Sequence, residues 1–274
     1  MKKEGNKNTL AVIEESALYV PGNQDFEDIY EDIGDILARS ARSVFGVISI
    51  AAAGAGVFKV LEPGAEMPTN GVGEVECIII ASHPTNVLWG SEFSKREAHE
   101  HPLCRSVDGS TGVDEEGEIH NCADCPHNQF GEDGSRKECS NRRQLYILRQ
   151  GDVLPMLLTL PPSALKTYDN YRVRTRMQLN RKLNTVITRI TLTNKTSDKS
   201  NAEYSVPVFT PVALLKESES ARLTEYAAKI MQSAQRAGVV ADDLINDTDA
   251  AAPAPATNVE GCTVVDEEEL PDNF

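Results

Sequence analysis

The chain has 274 residues and a formal net charge of −15, with 40% hydrophobic and 25% charged residues. That is the make-up of a globular domain large enough to bury a real core. It excludes a helical membrane protein, because no apolar run approaches the roughly 20 residues needed to cross a bilayer. The polar start Met1-Lys2-Lys3-Glu4-Gly5-Asn6-Lys7 lacks the apolar core of a secretion signal, so a cytoplasmic location is expected. Six cysteines in such a chain point to thiols and metal ligation rather than a secreted disulfide framework.

Residues 1–24 read as an N-terminal arm with a short apolar patch from Leu10 to Val20. Asp25 can cap a helix from Phe26 to about Ser43, with Phe26, Ile29, Ile33, Ile36 and Leu37 on one face. Val44–Ile50, Val57–Leu61 and Glu74–Ser82 are rich in Val, Ile and Phe, are separated by Gly and Pro, and predict strands. From about residue 92 to 141 apolar residues give way to Gly, Asp, Glu, His and Cys, a composition that cannot form a packed core of its own. Gln144–Arg149 and Val153–Leu160 are strand-like again. Pro161-Pro162-Ser163 opens a helix running to about Arg181. Asn184–Thr193 alternates Val186, Thr188, Ile190 and Leu192 against Ile187, Arg189 and Thr191, which predicts a half-buried strand. Tyr204–Leu215 adds strand, and an amphipathic helix from about Glu217 to Arg236 turns Leu223, Tyr226, Ile230 and Met231 inward. The core therefore spans residues 25–238, and residues 239–274 form an Ala/Pro/Thr linker with an acidic tip, expected to be disordered.

The core-poor stretch carries Cys104-x17-Cys122-Ala-Asp-Cys125-Pro-x12-Cys139. Two thiolates spaced C-x2-C grip one ion from a tight turn, and two outer cysteines complete a tetrahedron, so a structural zinc on Cys104, Cys122, Cys125 and Cys139 is expected. An ion would staple a segment that apolar burial cannot order. A catalytic zinc, with His120 or His127 replacing a sulfur, is the alternative, although no His-x-Glu or His-Glu-x-x-His pattern accompanies the cysteines. His99 and His101 read as loop residues, Cys77 as core and Cys262 as a bystander in the tail.

The net charge conceals blocks. Residues 136–195 hold thirteen Lys or Arg against three Asp or Glu, whereas residues 241–274 hold ten acids and no base. Arg136 and Lys137 close the cysteine loop, and Arg142, Arg143, Arg149, Lys166, Arg172, Arg174, Arg176, Arg181, Lys182 and Arg189 follow, with Tyr146, Tyr168 and Tyr171 interleaved. Cations that neutralise phosphates and aromatic faces that stack on bases are what a single-strand binder needs, so these are candidate nucleic-acid contacts. Trp89 and Phe93 are further aromatic candidates.

The last residues are Asp266-Glu267-Glu268-Glu269-Leu270-Pro271-Asp272-Asn273-Phe274. A linker, clustered acids, an aliphatic-Pro pair and a terminal Phe resemble the C-terminal tip of bacterial and phage single-stranded DNA-binding proteins. The likeness covers about ten residues, and Asp272-Asn273 stand where the bacterial tip runs from Pro directly to Phe. It implies that Asp266, Glu267, Glu268 and Glu269 meet basic rims on replication or recombination enzymes, that Leu270-Pro271 bridges, and that Phe274 anchors in an apolar pocket.

The expected fold is α+β: a β-rich, OB-like barrel with an inserted zinc loop, flanking helices and an acidic tail. The expected function is sequence-tolerant single-stranded DNA binding in phage or mobile-element replication or recombination, with no catalysis, no membrane, and homo-oligomerisation left open. No P-loop and no G-x-S-x-G occurs. A zinc-containing protein adaptor and a metal-dependent nucleic-acid enzyme are the rival readings.

Overall fold

The computed structural model describes residues 10–13, 45–51, 54–90, 101–132, 136–197 and 201–236. The predicted helix at 26–43, Phe93, His99, Cys262 and the acidic tip lie outside them.

The chain builds strands β1 (Val47–Ile50), β2 (Phe58–Leu61), β3 (Thr69–Val72), β4 (Glu74–Leu88), β5 (Cys104–Ser106), β6 (Thr111–Asp114), β7 (Ile119–Asn121), β8 (Ser140–Arg149), β9 (Met156–Leu160), β10 (Val186–Thr196) and β11 (Glu203–Leu214), with helices α1 (Pro162–Gln178) and α2 (Glu219–Arg236). All eleven strands belong to one mixed sheet. One limb runs β3-β2-β1-β9-β8-β4, antiparallel except for the parallel β1/β9 pair. The sheet forks at β4. Of its 15 residues, Cys77 to Val87 pair along one edge with β8, while the other edge is shared: Glu74–Ile78 faces β10, and Asn86–Leu88 faces β5. The register shift between Ile79 and Ala81 is where the strand bends from the main sheet toward the insertion.

Composition explains the fork. The first half of β4 is Val75, Cys77, Ile78, Ile79 and Ile80, all buried, whereas the second half is polar and begins at Ser82. The apolar half is covered on both faces. Leu223, Tyr226, Ala227 and Ile230 of α2 pack over Ile78, Tyr146, Leu148 and Ile187 on one side. Ala164, Tyr168 and Tyr171 of α1 pack over Cys77, Ile79, Leu145, Ile147 and Phe209 on the other. Strands buried on both faces lose strict alternation. That is why Ile187, expected on a solvent-facing side, is buried together with Val186 and Thr188.

The sheet is not closed into a barrel, which corrects the expected OB-like closure. Among the described residues, no ladder joins the two ends, β3 and β11. The β1–β2 loop meets the far limb through single hydrogen bonds instead: Gly56 N–H donates to Ser205 Oγ at 3.1 Å, and Asn194 Nδ2 donates to the Gly54 carbonyl at 2.5 Å. Pro207 and Pro211 lie in β11 and remove donors from its ladders, and beyond β10 its described partner is a single parallel bridge from Val12 to Leu214. α1 ends at Gln178, short of the expected Arg181. Pro161 is its N-cap and Pro162 its first residue, with no side-chain cap. Among the described residues, no helix is long and apolar enough to cross a membrane.

Candidate metal centre and nucleic-acid interface

The core-poor insertion is a small antiparallel sheet, β5-β6-β7, growing from the polar half of β4. Two polar seams hold it there. Asp108 accepts hydrogen bonds from Thr111 N–H at 2.7 Å, Ser110 N–H at 2.8 Å and Ser106 Oγ at 2.9 Å. Burial works against ionisation of this carboxyl, but these donors outweigh it and hold its pKa well below the usual range. The loop they shape lays Gly109 against β4. Asn86 Nδ2 donates to the Gly109 carbonyl at 2.9 Å, and a Cβ at residue 109 would come within 2.6 Å of Pro84. Only glycine fits there, with its φ of +73° as a second reason. In the other seam, Asn141 Nδ2 of β8 donates to Asn86 Oδ1 at 2.7 Å and to Asn128 Oδ1 at 2.9 Å.

Cys104, Cys122, Cys125 and Cys139 line one pocket of about 470 Å³, with His120 and His127 on its wall. Three separate segments converge there. Cys104 opens β5, Cys122 and Cys125 form a turn after β7, and Cys139 immediately precedes β8. The turn is pinned by Asn128 Nδ2 to the Cys122 carbonyl at 2.7 Å, by Asn128 N–H to the Cys125 carbonyl at 3.0 Å, and by Cys139 N–H to the His127 carbonyl at 2.8 Å. A Cβ at Gly112 would meet Cys104 Sγ at 2.9 Å and Cys122 Sγ at 3.6 Å, so glycine at 112 leaves room for two sulfurs to flank the β6 backbone. Burial first, and then the neighbouring sulfurs, pushes the Cys139 thiol up to about 11 and raises Cys104 as well. Thiols that disfavour one another's ionisation in this way suit a divalent cation, which removes the conflict. Four sulfurs are donors of the chemical type that zinc takes.

Among the described residues, the ligand atoms lying within 4.8 Å of one another belong to Asp114, Glu118 and His120, and the four sulfurs are not a set of that compactness. The Asp114 carboxylate is already engaged. Oδ1 accepts Glu116 and Glu118 N–H at 3.0 and 2.8 Å, and Oδ2 sits 2.7 Å from His120 Nε2. These bonds shape the β6–β7 turn. His127 Nδ1 lies 2.5 Å from Glu138 Oε2, so both histidines beside the cysteines have carboxylate partners. His101 is exposed.

The basic block does not form one patch. Arg149 holds Glu62 bidentately at 2.8 and 2.7 Å and Asp152 at 2.7 Å, hydrogen bonds that keep Glu62 below the usual carboxylate range. Arg181 pairs with Glu217, and Arg189 with Glu76 at 3.2 Å and Glu74 at 3.5 Å. These three cations are paired with acids from distant segments, and Arg172 has an exposed neighbour on its own helix, Asp169 at 3.4 Å. Arg142 is half-buried and donates to Ser140 Oγ. Helical spacing divides the rest: Arg172 and Arg176 share one flank of α1, Arg174 faces the opposite flank, and Lys166 lies between them on the outer side. Lys182 is exposed beyond the helix.

The tyrosines are not stacking platforms. Tyr146, Tyr168 and Tyr171 are 0%, 1% and 6% exposed, and their hydroxyls bond Gln144, Ser82 and Thr188. Burial above all pushes the Tyr171 phenol up to about 12. The signal was in the sequence: Ala164, Tyr168, Tyr171 and Thr175 repeat at helical spacing and form the buried stripe of α1. Trp89 is half-buried.

What the fold does converge is Arg143 and Arg172. From β8 and from α1, their guanidinium carbons lie 6.0 and 5.6 Å from the centre of the Tyr168 ring. Two residues along the same side of β8 is Asn141, which leads through Asn128 to Lys137 (Nζ to Asn128 Oδ1, 3.4 Å). Lys137 in turn lies 5.1 Å over the ring of Phe130. A strip can be traced from Arg176 and Arg172, whose guanidinium also meets Asp169 at 3.4 Å, across Arg143 and the asparagine seam to Lys137. On the opposite flank of α1, Arg174, Tyr171, Phe209 and Pro211 line a largely apolar groove of about 810 Å³ against β11.

No protein-family model matches the chain, and no curated protein or solved structure matches it either.

Proposed function

We propose that the protein binds single-stranded DNA with little sequence preference and uses Cys104, Cys122, Cys125 and Cys139 to hold a structural zinc ion that shapes part of the binding face. The observation that carries this reading is the strip of Arg176, Arg172, Arg143 and Lys137. Four cations from three parts of the chain line up along one face, in a protein whose average charge is strongly negative. Backbone neutralisation is the natural use of such a line. The polar rim of the sheet where Pro84 is exposed and Arg142 and Arg143 are half-buried would act as an open platform, with the insertion as one wall. The tip, Asp266 to Glu269 with Leu270, Pro271 and Phe274, would recruit replication or recombination enzymes.

The test is titration of a fluorescent oligo-dT, with duplex DNA as competitor, using the full chain and one lacking Asp266–Phe274. Salt-sensitive binding that duplex competes for poorly is the expected result, with both chains binding and only the full chain retaining partner enzymes. No binding at low salt overturns the assignment. Equal partner capture by the two chains overturns the role of the tip.

A further inference from the structure

Single-strand binding needs rings as well as charges, and the three tyrosines of the basic block are closed to bases. Among the described residues, the exposed aromatic ring is Phe130, 70% accessible to solvent. It contributes little to the core, yet it is not on a loose loop. The residues just before it are tied to the cysteine turn by Gln129 N–H to the Pro126 carbonyl at 3.1 Å, Gln129 Nε2 to the Ala123 carbonyl at 2.8 Å and Asn128 Nδ2 to the Cys122 carbonyl at 2.7 Å. Lys137 holds its ammonium 5.1 Å from the ring centre, within cation–π range. Through Asn128 and Asn141, the pair stands at the end of the strip that carries Arg143 and Arg172. Phe130 is also the one aromatic residue between His101 and Cys139. In a segment without a core of its own, an aromatic has no packing role to fill.

We infer that Phe130 is the base-stacking residue of the single-strand site: one nucleobase lies on its ring, and Lys137 takes the adjoining phosphate. This rests on the single-strand reading above and deepens it. It gives the cysteine turn a task beyond stapling the insertion, because the same hydrogen bonds that shape the turn present the ring.

The experiment compares wild type, Phe130→Ala, Phe130→Trp and Ile119→Ala, each metal-loaded, on oligo-dT at fixed salt. Loss of one stacked base corresponds to binding weakened about 5- to 150-fold, with an unchanged melting temperature because the ring is outside the core. Ile119, another exposed apolar side chain of the insertion at 75% exposure, is the control and should leave affinity as it is. Phe130→Trp should retain affinity, and oligo-dT should quench its emission beyond the change seen in wild type, whose single tryptophan is Trp89. Oligo-dT binding that survives Phe130→Ala, together with unquenched emission from Phe130→Trp, overturns the stacking role and leaves the single-strand reading standing. Failure of wild type to bind oligo-dT overturns both. A fall in affinity shared equally by Ile119→Ala shows loss of apolar surface rather than stacking and also overturns it.

Discussion

Removing Arg143 and Arg172 together tests whether the strip holds phosphates. Four cations lie along it: Arg176, Arg172, Arg143 and Lys137. Each phosphate contact on a single strand contributes roughly 0.7 to the slope of log affinity against log salt, so wild type should show a slope of about −2.8. Raising salt from about 50 to 200 mM should then weaken oligo-dT binding about 50-fold. Arg143→Ala/Arg172→Ala halves the slope to about −1.4, and the same salt step should cost about 7-fold. Tyr168 keeps its hydroxyl bond to Ser82 and its place in the core, so the double variant should stay folded. Arg149→Ala and Arg189→Ala are the internal controls, because their guanidiniums face Glu62, Asp152, Glu74 and Glu76. They should leave the slope alone, while Arg149→Ala lowers stability by about 1 kcal/mol, as expected for a partly exposed ion pair. Fluorescence anisotropy over a salt series measures all four proteins. If the paired arginines change the slope as much as Arg143 and Arg172 do, or if the double variant keeps the wild-type slope, the strip is not the phosphate track.

Two further outcomes bear on the metal and on the interior. Elemental analysis should find about one zinc ion per chain, and Cys122→Ser or Cys125→Ser should unfold residues 101–141 while sparing the main sheet, read by hydrogen exchange; metal-free protein with wild-type exchange there refutes a structural zinc. His83 is buried with neither ring nitrogen bonded, and burial, then the charge of Arg143, lowers its pKa to about 4. An unfolded histidine takes up its proton near pH 6.5 and the folded one only near 4, so the unfolded state binds more protons between those values. Stability is therefore complete above about pH 6.5 and falls as pH drops toward 4, by at most about 3 kcal/mol from this group. Urea midpoints of His83→Gln and wild type should converge in acid, and an equally steep acid loss in the variant would show that other groups are responsible.

The local patterns were legible because they depend on near neighbours. The apolar runs that became β1, β2, β9 and β11, the inward stripe of α2, Cys77 as core and the C-x2-C turn all follow from spacing along the chain. The order of the insertion was legible only as a need: a stretch without apolar residues had to be held by something else, and Asn86, Asp108, Asn128 and Asn141 supply hydrogen bonds that do so. Pairwise long-range matters were not legible. Nothing in the spacing of Arg149, Arg181 and Arg189 tells that Glu62, Glu217, Glu74 and Glu76 will stand opposite them, because those acids arrive from strands and turns distant in sequence. Only the tertiary structure could set Glu62, Glu217, Glu74 and Glu76 against their arginines, leave the sheet open where a barrel was expected, and bring Arg143 beside Arg172. The physical reason is that burial and charge pairing are properties of surfaces made by several segments at once. The sequence by itself determined which residues are able to bind metal or phosphate, and the fold decided which of them are free to do so.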